Sequence, residues 1–215
     1  HTILVAMVGV VAACGGPRTA MAPVPMPASA VRPGIEVLLS DSLSLVRHAR
    51  LGLVTNQAGV DAAGVSDVDR LRAGGLEIVA LFSPEHGFRG SAAPGAAVAN
   101  AVDSTTGLPI YSLYGQNTAP TAAMLAGLDV LLVDLQDVGA RYYTYLGTTV
   151  AVMRAAVRDG KRVVVLDRPN PIGGTVQGNV LDTAFASFVG MLPVPMRHGM
   201  TLGELARLAN TELGI

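Results

Sequence analysis

The sequence has little charge, few aromatic side chains and almost no cysteine. Of its 215 residues, 14% are charged and 4% are aromatic, tryptophan is absent, and Lys161 is the one lysine. The formal net charge is −1, so there is no basic excess of the kind that binds nucleic acid. A single cysteine, Cys14, excludes an internal disulfide and a thiolate zinc site within this sequence. Half of the residues are hydrophobic, which excludes disorder over most of the length.

The first residues carry an export pattern. Residues 2–13 are almost wholly apolar and lead into Cys14, a run shorter than the roughly 20 residues that span a bilayer. Its length is typical of the apolar region of a secretory signal. Because residues 11–15 (VAACG) resemble the lipobox of bacterial lipoproteins, we predict a signal segment over 1–14 and lipidation at Cys14. The alternative is a buried strand with an incidental cysteine.

A proline-rich stretch follows over residues 15–33, with five prolines and no strong periodicity. This composition predicts an extended tether. The whole N-terminal pattern predicts an exported lipoprotein, held at the membrane of the cell envelope or periplasm by an N-terminal lipid anchor.

From residue 34 onwards, apolar strands alternate with amphipathic helices. Strands are predicted over 51–55, 77–82, 129–135 and 163–167, with one more candidate at 109–113. Ser66 and Pro120 open helices, and Thr201 with Glu204 forms a capping box. Continuous apolar strands that alternate with helices indicate a parallel sheet covered on both faces. We therefore predict one Rossmann-like α/β domain over 34–215, with an open, mainly parallel sheet and helices on both faces.

Polar residues concentrate where the four main predicted strands end. In open parallel sheets, ligands bind beyond the carboxyl ends of the strands. The residues at these ends are Asn56 after the first strand, Glu85, His86 and Arg89 after the second, Asp134, Asp137, Arg141 and Tyr143 after the third, and Asp167, Arg168 and Asn170 after the fourth. In a charge-poor sequence, this clustering is the clearest functional signal.

Nucleotide, cofactor and metal sites are not expected. No G-x-G-x-x-G follows the first strand, no G-x-x-x-x-G-K-[ST] occurs, and the nucleophile elbow G-x-S-x-G is missing. The potential metal ligands lack a tight spacing such as H-E-x-x-H; they are His86, Asp134, Asp137, Asp167 and His198.

Paired carboxylates remain as the chemistry that the pattern favours. Glu85 leaves its strand between Pro84 and His86, where partial desolvation is expected to raise its pKa. Asp134 and Asp137 leave a neighbouring strand, and two carboxyl groups across a cleft suit cleavage of a glycosidic bond.

Structural roles stay open for the same residues. The alternatives are a backbone-bonded carboxylate for Glu85, helix caps for the aspartates, a salt bridge for Arg141, an internal ion pair for Asp167 and Arg168, an Asx turn for Asn56 and simple packing for His198.

The run Phe82–Gly90 (FSPEHGFRG) resembles the F-x-P-E-H-G-F-R-G signature of bacterial exo-β-N-acetylmuramidases of the NamZ type. Four further segments agree in order: LVTNQAGV at 53–60, DLQDVGARYYTY at 134–145, LDRPNP at 166–171 and RHGMT at 197–201. The resemblance implies release of N-acetylmuramic acid from the non-reducing ends of peptidoglycan fragments. It also implies a C-terminal domain that this sequence does not contain.

The resemblance implies Glu85 as the leading catalytic residue, and we add His86 and Asp137 as catalytic candidates. The substrate-binding candidates, for muramyl glycans, are Asn56, Arg89, Asp134, Arg141, Tyr143, Asp167, Arg168, Asn170 and His198. The nucleophile is either the substrate's own acetamido group, with Glu85 as acid and an aspartate orienting the acetamide, or a water molecule. Two other classes stay open: a metal-dependent hydrolase using His86 and aspartates, and a non-catalytic wall-binding lipoprotein.

Overall fold

The structure is a computed structural model that describes residues 31–215. The predicted signal segment, the lipidation at Cys14 and the tether up to residue 30 lie outside the described residues. Within residues 31–215, no helix has both the length and the apolar character needed to cross a membrane.

A six-stranded sheet forms the centre of the described part. In chain order, the strands of the structure are β1 (Arg50–Thr55), β2 (Glu77–Ser83), β3 (Ala101–Val102), β4 (Pro109–Ser112), β5 (Val130–Asp134), β6 (Arg162–Val165), β7 (Gln177–Val180) and β8 (Pro195–Arg197). The sheet order is β3-β4-β2-β1-β5-β6, and every pairing is parallel except that of the short edge strand β3 with β4. Strands β7 and β8 form a separate antiparallel pair.

The helices cover both faces of this sheet. They are α1 (Gly34–Asp41), α2 (Asp67–Ala73), α3 (Ala122–Leu125), α4 (Thr144–Arg158) and α5 (Leu202–Glu212), with 3-10 turns at Leu43–Leu45 and Thr183–Phe185.

Successive strand residues point to opposite faces, so each apolar strand serves two cores. On one face, Leu51 and Leu53 of β1 pack with Ile35 of α1 and Leu71 of α2. On the other face, Val54 packs with residues of α3 and α4. The predicted mainly parallel α/β fold is therefore confirmed.

The end of β6 differs from the prediction. This strand ends at Val165, because Asp167 turns away to receive hydrogen bonds from the start of α5. Its Oδ1 accepts from the Gly203 N–H at 2.8 Å, and its Oδ2 accepts from the Thr201 hydroxyl at 2.6 Å. The capping box of Thr201 and Glu204 is present as predicted. Asp167 thus joins β6 to α5.

The β7–β8 hairpin is not predicted by the apolar pattern, because the residues of β7 are all exposed. A buried arginine supports it instead. The Arg141 guanidinium donates from Nη1 to the carbonyl oxygens of Asn179 and Val194, each at 2.7 Å. The hairpin is therefore held by a side chain from the β5–α4 connection.

We expect Thr201→Ala to lower the free energy of unfolding by about 1–2 kcal/mol, since it removes the N-cap of α5 and a bond to Asp167. Thr201→Ser is the matched control, because it keeps the hydroxyl. Urea titration of the two variants checks this. Equal stability of the alanine and serine variants would contradict the capping role.

Candidate active site

The carboxyl ends of the parallel strands form a row along one edge of the sheet. Following the strand order, the row contains Tyr114 after β4, Glu85 after β2, Asn56 after β1, Asp134 at the end of β5 and Arg168 after β6. Neighbouring strands carry consecutive members of this row. The edge is where ligands bind in sheets of this type.

The loop that carries Glu85 is tight. His86 has a φ of 70°, and Gly87 and Gly90 are also left-handed. The His86 Nδ1 lies 2.9 Å from the Ala92 carbonyl oxygen, so Nδ1 carries a proton that it donates. A Cβ on Gly90 would lie 2.4 Å from the Gln57 carboxamide, so a larger residue would have to displace that side chain and adopt a strained left-handed backbone. A left-handed non-glycine residue beside a carboxylate is the kind of local strain that concentrates at functional sites.

The Glu85 carboxylate is half-buried and well supplied with donors. Its Oε1 accepts a hydrogen bond from the Gly95 N–H at 3.0 Å. Burial raises the pKa of Glu85, but hydrogen bonds from the Gly95 N–H and from the Thr144 and Tyr114 hydroxyls outweigh it and hold the pKa below the usual range. The expected rise in pKa is therefore wrong, because the donors count for more than the desolvation. Glu85 is ionised at neutral pH.

Asn56 and Tyr143 both contact Tyr145, which lies within reach of the charge of Glu85. Asn56 donates from Nδ2 to the Tyr145 hydroxyl at 2.7 Å, and its Oδ1 accepts from the Ala58 N–H, which is the Asx turn. The rings of Tyr143 and Tyr145 meet edge-on, with centroids 4.5 Å apart. Burial, the Tyr143 hydroxyl and the charge of Glu85 raise the pKa of Tyr145. We call these residues, with His86, Tyr114 and Thr144, the Glu85 cluster.

Asp134 and Arg168 form a buried ion pair. The Arg168 Nε and Nη2 both donate to the Asp134 carboxylate, the second at 3.0 Å, and Nη2 also donates to the Val60 carbonyl oxygen at 2.8 Å. Asp134 is fully buried, and the Arg168 side chain is 9% exposed. Arg168 thus has an internal partner, which is Asp134 rather than Asp167.

A second buried pair joins Asp137 to His198. The Asp137 Oδ1 accepts from the Gly139 N–H at 2.7 Å and lies 3.3 Å from the His198 Nε2. The His198 Nδ1 accepts from the Met200 N–H at 3.2 Å, which assigns the ring proton to Nε2, facing Asp137. Asn170 donates to the Met200 carbonyl oxygen at 2.9 Å, so it braces the same turn.

Three further predicted residues have their charged groups engaged elsewhere. Arg89 forms an ion pair with Asp103 at 2.7 Å while its side chain stays two-thirds exposed. Arg141 holds the hairpin, and Asp167 caps α5. The structure thus brings Glu85 and His86 together and links Asn56 and Tyr143 to them through Tyr145. The catalytic and substrate-binding roles of all the candidates stay predictions.

The potential metal ligands do not converge. Among residues 31–215, no group of three or more histidine, cysteine, aspartate or glutamate side chains is arranged to hold a metal ion. A groove of about 580 Å³ runs along Asp167, Arg168 and Asn170 beside α1, and Glu85 is not among its lining residues.

Sequence reasoning missed Tyr114 and Thr144, both of which hydrogen-bond to Glu85. Tyr114 follows β4, so the rule about strand ends would have found it if it had been applied to the strand candidate at 109–113. Thr144 lies inside the segment 134–145, but it is a neutral residue that starts a helix and gives no chemical signal of its own.

Comparison with known proteins identifies the family. Residues 51–215 match the N-terminal domain family of the exo-β-N-acetylmuramidase NamZ. The chain belongs to the NamZ family. It is 48% identical over 187 residues to the peptidoglycan β-N-acetylmuramidase NamZ of Bacillus subtilis strain 168, an alignment that covers 86% of this chain and 45% of that protein. The chain therefore spans about half the length of this NamZ relative.

Two crystal structures of DUF1343 family proteins from Bacteroides fragilis share the fold. The first is 44% identical with a TM-score of 0.76, and the alignment covers 85% of this chain and 46% of that one. The second is 39% identical with a TM-score of 0.72, over 84% of this chain and 47% of that one. The resemblance to the NamZ family drawn from the motifs is thus confirmed.

We expect Tyr114→Phe to raise the pKa of Glu85, because it removes one donor to the carboxylate. Carboxyl-carbon NMR as a function of pH measures this directly. Tyr111→Phe is the matched control, since Tyr111 packs on Phe82. An unchanged Glu85 titration in Tyr114→Phe would contradict the role of this hydroxyl.

Proposed function

We propose that this chain carries the catalytic residues of an exo-acting glycoside hydrolase that releases N-acetylmuramic acid from the non-reducing ends of peptidoglycan fragments. One observation carries the proposal. Glu85 is a half-buried, ionised carboxylate in the PEHG loop, at the ligand-binding edge of the sheet, with His86 beside it and hydrogen bonds from the Gly95 N–H and the Tyr114 and Thr144 hydroxyls. The naming of a 48% identical relative as a peptidoglycan β-N-acetylmuramidase supports the same substrate.

The state of the other carboxylates bears on the mechanism. A two-carboxylate scheme needs a second free carboxyl group about 5–10 Å from the first. Asp134 is fully buried against Arg168, and Asp137 is buried against the Gly139 N–H and His198. Both oxygens of Asp134 are engaged by Arg168, and Asp137 is paired through its Oδ1 with the Gly139 N–H and His198. These pairings favour the substrate's acetamido group as the nucleophile.

In this mechanism the acetamido oxygen bonds to C1 as the glycosidic C1–O bond breaks, and the leaving oxygen takes up a proton. Because Glu85 is ionised, we assign it to accept a hydrogen bond from the acetamido N–H, which increases the nucleophilicity of the acetamido oxygen. We assign the proton donor to His86, whose Nδ1 is fixed on the Ala92 carbonyl oxygen, so that Nε2 is the ring nitrogen left to face the leaving oxygen. Water then opens the cyclic intermediate and regenerates the acetamido group.

The experiment uses the full-length protein with a chromogenic β-N-acetylmuramide. We expect Glu85→Gln to lower kcat by about 100-fold or more, because a neutral amide no longer orients the acetamide or stabilises positive charge at C1. Glu212→Gln, at an exposed position in the last turn of α5, is the matched control. Each protein is assayed with and without EDTA.

The outcomes separate the three classes. Release that survives EDTA and is lost in Glu85→Gln supports the glycosidase. Loss of release in EDTA would favour a metal-dependent hydrolase instead. No release by folded wild-type protein that still binds muramyl glycans would favour a non-catalytic wall-binding protein. A substrate with a trifluoroacetamido group should react more slowly, since fluorine weakens the acetamido oxygen as a nucleophile.

We also propose that the protein is exported and anchored to the membrane by a lipid on Cys14, as the apolar run 2–13 and the VAACG motif suggest. Cys14→Ala should move the full-length protein from the membrane fraction to the soluble fraction of expressing cells and abolish incorporation of labelled fatty acid. Equal membrane association of the wild type and the variant would contradict the anchor.

A further inference from the structure

Asp67 is a buried carboxyl group that the mechanism does not use. It is the first residue of α2, and it is fully buried. Within residues 31–215, no amide, guanidinium or hydroxyl group donates a hydrogen bond to either of its carboxyl oxygens. The helix is capped by the neighbouring Ser66, so Asp67 is not needed as its N-cap. Burial of an ionised carboxylate without hydrogen bonds costs free energy, so the ionised state of Asp67 is disfavoured in the folded protein.

Close packing surrounds the Asp67 carboxyl group. A Cβ on Gly59 would lie 2.8 Å from its Oδ2, so the glycine leaves just enough room for it. The charged groups that face it are Asp134, Arg168 and Asp61. Asp61 is neutralised separately, since it pairs with Arg70 at 3.2 Å and accepts the N–H groups of two residues in its own turn.

Two carboxyl groups therefore share one guanidinium. Arg168 donates twice to Asp134 and once to the Val60 carbonyl oxygen, and none of its bonds reaches Asp67. A proton resolves the imbalance, because a carboxylic acid donates one hydrogen bond and a carboxylate accepts it. Burial and the negative charge of Asp134 raise the pKa of Asp67 to about 9, so the proton resides on Asp67 at neutral pH.

We propose that Asp67 is a positioning residue, whose neutral carboxyl group donates to Asp134 and thereby holds the Asp134–Arg168 pair and the loop over residues 56–60 in place. The loop is held at two points. Arg168 binds the Val60 carbonyl oxygen at 2.8 Å, and the Asp67 N–H binds the Gly59 carbonyl oxygen at 3.0 Å. The same loop begins with Asn56, which bonds to Tyr145 in the Glu85 cluster. Only the effect on catalysis rests on the proposed function.

The protonated state has a consequence for stability. The pKa of Asp67 is raised from 3.8 when unfolded to about 9 when folded, so the folded protein binds the extra proton between these values. The stabilisation that comes from this proton is complete below about pH 4 and is lost as the pH rises towards 9. Asp67→Asn keeps a donor to Asp134 but does not titrate. Its melting temperature, relative to that of the wild type, should therefore rise steadily between pH 4 and 9.

Three measurements on the full-length protein test the proposal. Infrared difference spectra at pH 7 should show the carbonyl band of a protonated, buried carboxyl group in the wild type and in Asp69→Asn, the exposed matched control in α2, but not in Asp67→Asn. Thermal melts from pH 4 to 9 give the stability difference. In kinetics with the muramide, Asp67→Leu should have a KM about tenfold higher than the wild type, because it loses one buried hydrogen bond. The KM of Asp67→Asn should stay near that of the wild type, because it keeps the donor.

The results distinguish this proposal from the proposed function. A missing infrared band together with a stability difference that does not change with pH would overturn the protonated state, whatever the activity. The same changes in KM for Asp67→Asn and Asp67→Leu would overturn the positioning role. If the wild type releases no muramic acid but the band and the pH-dependent stability are present, the catalytic effect is overturned and the buried pair stands.

Discussion

Burial of both faces of the sheet is the constraint from which the rest of the structure follows. Strands β1 and β5 run between two layers of helices, so each of their residues beyond Arg50 is apolar, small or a neutral threonine, except Asp134, which ends β5. Polar side chains are excluded from the middle of such a sheet. They collect beyond the strand ends, and parallel pairing places those ends side by side. A charge-poor chain thus concentrates its chemistry at one edge.

In the proposed mechanism, the ionised state of Glu85 decides which residue accepts and which donates. A carboxyl group surrounded by three donors is a poor reservoir of protons and a good acceptor. The adjacent His86 has one ring nitrogen fixed as a donor to a carbonyl oxygen, and the proposed mechanism uses the other. That mechanism takes its acceptor and its proton donor from consecutive residues of one tight turn.

How much of this structure the sequence predicts depends on how far apart along the chain the interacting residues lie. Strand positions, the Ser66 and Thr201 caps and the polar strand ends depend on neighbouring residues, and the pattern predicted them. The pKa of Glu85 depends on donors at positions 95, 114 and 144, which come together only in the fold, and the prediction for it was wrong. The β7–β8 hairpin depends on Arg141, whose bonds reach 38 and 53 residues along the chain. Asp67 was missed because burial of an aspartate leaves no periodic signature.

The close contact between Gly90 and Gln57 links two loops at the carboxyl edge of the sheet. The glycine leaves the space that the carboxamide fills, and the two positions lie in loops after different strands. A side chain at position 90 would displace the Gln57 carboxamide, and the left-handed backbone would strain it in addition. The loops after β1 and β2 are therefore coupled at this glycine, and a larger residue at position 90 would disturb both of them.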